Sequence, residues 1–84
     1  MSYRVEISRR AAKVITGLEK PSRRRILAAI DALADDPRPP GCKKLVGQDG
    51  WRIRVGDYRI VYEIHDLVVL VTVVDAGHRN EIYW

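Results

Sequence analysis

Trp51–Ile64, WRIRVGDYRIVYEI, is the stretch whose reading decides the fold. Two alternating runs, Trp51–Val55 and Tyr58–Ile64, flank Gly56-Asp57, a dipeptide suited to a two-residue hairpin loop. Such a loop predicts Val55 opposite Tyr58, Arg54 opposite Arg59, Ile53 opposite Ile60 and Arg52 opposite Val61. The side-chain period of two then gives Trp51, Ile53, Val55, Tyr58, Ile60, Tyr62 and Ile64 one face, the core face. Arg52, Arg54 and Arg59 take the other. Like charges directly across a strand pair destabilise it, by roughly a few tenths of a kcal/mol or more. The arginines read either as a solvated sheet face or as an anion site, and their clustering favours the anion.

Working outward, Tyr3–Ile7 alternates as a half-buried strand, with Tyr3, Val5 and Ile7 on one side. Ser8 is placed to cap a helix from Arg9, with Ala11, Val14, Ile15 and Leu18 as its apolar stripe. Lys20-Pro21 breaks that helix, and Pro21 suits the first turn of a second one reaching about Ala34. Ile26, Ile30 and Leu33 are its buried stripe. Arg23, Arg24 and Arg25 point in different directions on a helix and read as a solvated face. Asp35–Gly41 is a proline-rich connection. Beyond the hairpin, Asp66-Leu67 reads as a second loop and Leu67–Val74, LVVLVTVV, as a strand apolar on both faces and therefore covered on both. Asp75-Ala76-Gly77 reads as its end. That register puts Val69, Val71 and Val73 in the core and Val74 beside Arg59. The expected architecture is a single α+β domain over residues 1–84. It has two layers, an antiparallel sheet of about four strands in the order β-α-α-β-β-β with the helical hairpin on one face.

Eighty-four residues make one domain near the lower size limit for folding without staples. No apolar run approaches the ~20 residues of a membrane span. The charged start, MSYRVEISRR, lacks the apolar stretch of a signal peptide, so the chain reads as unprocessed and cytoplasmic, with no membrane partner. One cysteine, Cys42, excludes an internal disulfide and a cysteine-rich zinc site. The net charge of +4 points to an acidic partner such as nucleic acid. The excess is localised, with five Lys or Arg against two acids in Gly41–Arg59. Lys43, Lys44, Arg52 and Arg54 are the candidate RNA-binding residues.

His65 and His78 are the only histidines, neither has a ligand partner at a recognised spacing, and no metal or cofactor is expected. Gly47, Gly50 and Gly56 sit in turns rather than before a helix, so no phosphate-binding glycine loop is present. RNA cleavage by 2′-hydroxyl attack needs a base, charge stabilisation of the phosphorane, and an acid for the 5′-oxygen. Arginine, a planar fork of donors, suits the second need. His78, Arg79 and Tyr83 follow the last long strand and come near Arg59, and His78 and Tyr83 suit the other two needs. Each also has a bland reading, His78 as a turn residue and Tyr83 as an aromatic at the core edge.

The opening strand, the helical hairpin with its proline-rich exit, KKLVG, WRIRVGDYRIVYEI and AGHRNEIY together resemble the RelE/ParE superfamily of toxins. Within it they are most similar to the RelE-like ribosome-dependent mRNA endonucleases of toxin–antitoxin systems. The resemblance implies that Arg52 and Arg54 bind and polarise the scissile phosphate and that Arg59 stabilises the transition state. It implies a phosphate contact or leaving-group protonation for Arg79, and a general base or stacking role for Tyr83. His78 is an acid–base substitute by the same resemblance, and the proton is left to His78, Tyr83 or Asp57. The implied partners are a cognate antitoxin, the ribosome and mRNA. The superfamily also contains ParE-like inhibitors of DNA gyrase, and a catalytically weak co-repressor is a third reading. Two departures stand out. Val46 occupies a position that is often basic in the family, leaving one phosphate contact missing or supplied by Lys44. The tail from Gly77 to Tyr83 is about two residues shorter than in the best-known members.

Overall fold

The central hairpin forms in the register its sequence sets. Trp51 pairs with Tyr62, Arg52 with Val61, Ile53 with Ile60, Arg54 with Arg59 and Val55 with Tyr58. Gly56 has φ +60° while Asp57 keeps a negative φ, the combination a type II′ loop uses. This computed structural model describes residues 2–78. In chain order the elements are β1 (Arg4–Ile7), α1 (Arg9–Thr16), α2 (Lys20–Ala32), β2 (Lys43–Lys44), β3 (Trp51–Val55), β4 (Tyr58–His65) and β5 (Leu70–His78). A 3-10 turn, Asp66–Val68, joins the last two strands.

The sheet has five strands in the order β1-β5-β4-β3-β2. The two-layer α+β architecture is as expected, with two refinements. Lys43–Lys44 adds a short edge strand, and β1 runs parallel to β5, so the sheet is mixed. That parallel pairing follows from the connection. The helical hairpin returns the chain to the far edge, and three antiparallel steps bring β5 back beside β1.

Local chemistry sets the helices. The Ser8 hydroxyl accepts from the Ala11 N–H at 3.1 Å, capping α1, and also donates to the Val74 carbonyl at 2.9 Å. Pro21 stands in the first turn of α2. Ala11, Ile15, Ile26, Ile30 and Leu33 meet Ile53, Ile60, Tyr62, Val71, Val73 and Ala76 in one core between the layers. Fully burying a side chain of the Ile or Val type contributes roughly 1.5–3 kcal/mol, so this cluster dominates stability. A smaller cluster of Leu45, Val61 and Val74 covers part of the opposite face, folded down by the Val46–Gly50 loop. β5 is thus covered on both faces at Val74, as its unbroken apolar run requires.

The β4–β5 connection departs from the expected two-residue loop. Asp66–Val68 forms the 3-10 turn and Val69 takes a left-handed conformation, φ 54° and ψ 52°. The strand therefore starts at Leu70 rather than Leu67, and Val69 leaves the core set. Asp75-Ala76-Gly77 does not end it, because these residues pair with Val61, Ile60 and Arg59. A bulge at Val61/Tyr62 shifts the register by one further residue. Gly77, not Val74, lies beside Arg59, and Val74 turns into the smaller cluster.

Polar groups tie the layers. The Tyr62 hydroxyl donates to the Pro37 carbonyl at 2.7 Å, and burial, with Cys42 alongside, pushes that phenol well above its usual range. Asp66 accepts from Tyr3 at 2.6 Å and from the Arg38 guanidinium at 3.0 and 3.4 Å. The buried Asp75 carboxylate accepts from the Ala76 N–H at 2.9 Å and faces Arg10 at 3.4 Å.

Candidate nucleic-acid interface

Strand alternation places Arg52, Arg54 and Arg59 on the sheet face away from the helices. Arg54 is directly opposite Arg59, where side chains stand roughly 5 Å apart at Cβ. The Arg52 guanidinium is held below the usual arginine range, first by partial burial and then by the positive charges of Arg54 and Arg59. Lys43 pairs with Arg52 across the edge and so shares the arginine face. Lys44 pairs with Trp51 and belongs to the other side, where its Nζ donates to the Gln48 carbonyl at 3.2 Å. The two adjacent lysines are therefore split between faces.

Gly77 puts no side chain beside Arg59, leaving backbone alone across from that guanidinium's strand position. His78 pairs with Tyr58, and the two rings meet edge to face with centroids 5.7 Å apart. Alternation along β4 puts this pair on the helix side, with Ile60, and not among the arginines. Asp57 stands in the hairpin loop, directly before Tyr58. Arg79 and Tyr83 lie outside the described residues. Among the described residues, no group of His, Cys, Asp and Glu is arranged to hold a metal ion. What the face can do is concentrate guanidinium donors on an anion with planar or tetrahedral oxygens.

Two arrangements, one at the hairpin loop and one at the opposite end of the sheet, have no local sequence signal. Arg25, at the start of α2, lies over the hairpin loop, its Nη1 3.2 Å from where a Cβ on Gly56 would sit. Arg38 and Lys44 flank the Trp51 ring, their charged centres 5.2 and 5.7 Å from its centroid. Both arrangements depend on how the layers stack, which side-chain periodicity cannot report.

A family model described as the ParE toxin of the type II toxin–antitoxin system, parDE, matches residues 5–83. The chain belongs to the RelE/ParE superfamily of toxins. Among solved structures it is similar to the archaeal RelE–RelB complex from Pyrococcus horikoshii OT3, with 31% identity and TM-score 0.86, covering 98% of this chain and 100% of that one. It is also similar to the intact E. coli RelBE toxin–antitoxin complex, at 28% identity and TM-score 0.80, covering 92% and 96%. A mutant E. coli toxin RelE in the free state matches at 27% identity and TM-score 0.80, covering 96% and 87%. Among curated proteins, none matches the sequence. The RelE/ParE toxin fold is thus established on both sequence and structure. No helix among the described residues is long and apolar enough to cross a membrane.

Proposed function

We propose that this RelE/ParE toxin is a ribosome-dependent mRNA endonuclease that acts in the cytoplasm, cuts in the ribosomal A site and is held inactive by a cognate antitoxin. The observation that carries the reading is the Arg54–Arg59 pair on the sheet face away from the helices, with Arg52 and Lys43 beside it. In the reaction a 2′-oxygen attacks the adjacent phosphorus, the P–O5′ bond breaks, and a 2′,3′-cyclic phosphate and a free 5′-hydroxyl result. The 2′-hydroxyl proton leaves to a base and the 5′-oxygen gains one from an acid. Arg52, Arg54 and Arg59 bind the phosphate and carry the charge that grows on its oxygens. Proton transfer falls to Arg79, Tyr83 or Asp57, with Arg79 and Tyr83 supplied from beyond the described residues, because His78 pairs with Tyr58 on the other side of the sheet from the arginines.

The match to the ParE description favours a second reading, inhibition of DNA gyrase without RNA cleavage. Fold alone does not separate the two. Inducible expression followed by mapping of mRNA 5′ ends does. Cuts inside translated codons are expected, and they should vanish in an Arg59→Ala, Arg79→Ala double variant. Growth arrest with intact mRNA and impaired supercoiling would instead establish the gyrase reading.

A further inference from the structure

At the end of the sheet away from the hairpin loop lies a cleft of about 410 Å³, within the size of small-ligand sites. Trp51 forms one wall, and Arg38, Lys44, Asp49, Glu63 and His65 supply its polar lining. The indole is braced rather than loose. It is half-buried against the main core, with the Arg38 guanidinium 5.2 Å and the Lys44 ammonium 5.7 Å from its centroid. Arg38 is held in turn by Asp66, at 3.0 Å. Glu63 is oriented by His65 at 3.4 Å.

This lining sorts the possible ligands. An inorganic anion uses the cations but neither the indole nor the two carboxylates. An apolar ligand leaves five charged or ionisable groups without use. A nucleotide uses the indole, both cations and a carboxylate together. Its base stacks on the indole, worth about five- to 150-fold in affinity in single-strand binders. Its phosphate meets Lys44 and Arg38, and an exocyclic amine donates to Glu63 or Asp49.

The cleft is also continuous with the arginine face. Trp51 is three residues before Arg54 on one strand, about 10 Å away. The edge strand β2 sends Lys43 to the arginine face and Lys44 to the cleft, so positive charge runs around the sheet edge between them. We propose that the Trp51 cleft is a second subsite that takes one amine-bearing base of single-stranded RNA, outside the arginine cradle. This rests on the reading that RNA is the substrate, and names where a neighbouring nucleotide goes.

The test uses the full chain carrying Trp84→Phe, so that Trp51 gives the single indole N–H resonance. Cytidine 5′-monophosphate is titrated, with uridine 5′-monophosphate, inorganic phosphate and a poly-glutamate peptide as comparisons. Cytidylate should shift the Trp51 resonance saturably, and uridylate should bind at least five-fold more weakly. Inorganic phosphate at equal concentration should leave it in place. Lys44→Glu should weaken cytidylate at least ten-fold, while Trp51→Phe, which keeps an aromatic wall and the fold, should retain binding by the ligand's own shifts. An indole that ignores cytidylate, or responds equally to phosphate, overturns the proposal. So does a Lys44→Glu variant with unchanged affinity, or a response to poly-glutamate alone. Equal binding of uridylate overturns the assignment of the carboxylates. Because mononucleotide binding needs neither ribosome nor cleavage, its failure is read separately from failure of the nuclease reading.

Discussion

At the scale of single residues, Arg54 and Arg59 carry the conflict between stability and use. Folding sets two like charges directly across a ladder, and their field reaches Arg52 as well. Arg54→Glu converts the repulsive pair into an attractive one. A cross-strand pair of opposite charge is worth roughly 0.2–1 kcal/mol, and the variant is expected to melt a few degrees higher than the parent. The same change should reduce RNA cleavage by roughly 10² or more, because a donor aimed at developing charge becomes an acceptor. Thermal denaturation and a cleavage assay on one preparation check both halves. A variant that melts lower, or cleaves as before, would remove the arginine pair from its assigned place. Arg54→Lys should sit between the two, since a lysine keeps the charge but loses the planar fork.

At the scale of elements, the β4–β5 connection is where strain is stored. Val69 is β-branched and left-handed, with its N–H closing the turn onto the Asp66 carbonyl at 3.2 Å. A non-glycine residue held there costs of order 1–3 kcal/mol. Val69→Gly is expected to stabilise the chain by about 1 kcal/mol after glycine's greater loss of freedom, and urea denaturation measures it. The same turn carries Asp66, which binds β1 through Tyr3 and the helix-to-sheet connection through Arg38. The Arg38 guanidinium, then the Tyr3 hydroxyl, hold the Asp66 carboxyl below its usual range. A depressed carboxyl contributes stability that is present above its unfolded value, about 4, and is lost as pH falls through the lower folded value. Asp66→Asn should therefore be less stable than the parent at neutral pH, with the gap closing below about pH 4. A gap that stays constant down to pH 2 would deny the linkage. This connection is also where the sequence was least legible. The β3–β4 hairpin alternates strictly and has one loop solution, so every pair in it could be assigned in advance. LVVLVTVV has apolar residues on both faces, so sliding it costs no face, and nothing in it pins the register. The slide decides what stands beside Arg59, which is Gly77, and puts His78 against Tyr58. Arg52, Arg54 and Arg59 were readable as one face because they belong to the strictly alternating strands. The split of Lys43 from Lys44 was not, because a two-residue edge strand shows no period.

At the scale of the molecule, the two layers divide the labour. The helices and the inward sheet face bury the core, and the outward face collects positive charge. Leu45, Val61 and Val74 seal only part of that face, so Arg52, Arg54, Arg59 and Lys43 remain grouped where a polyanion can lie. The overall charge of +4 is modest, and the grouping rather than the total should set RNA affinity. That distinction is measurable through salt. Each phosphate neutralised on a single strand contributes about −0.7 to the slope of log K against log salt concentration. The four cations of this face neutralise at most four phosphates, so they contribute a slope no steeper than about −3, at most roughly a fifty-fold loss in affinity for single-stranded RNA between 50 and 200 mM salt. Arg54→Ala with Arg59→Ala should make the slope measurably shallower. Removing Arg9 and Lys13 on α1 takes away the same charge from the helix layer, and should lower affinity slightly without moving the slope. If both double variants change it equally, net charge governs binding, and the arginine face is only solvated surface.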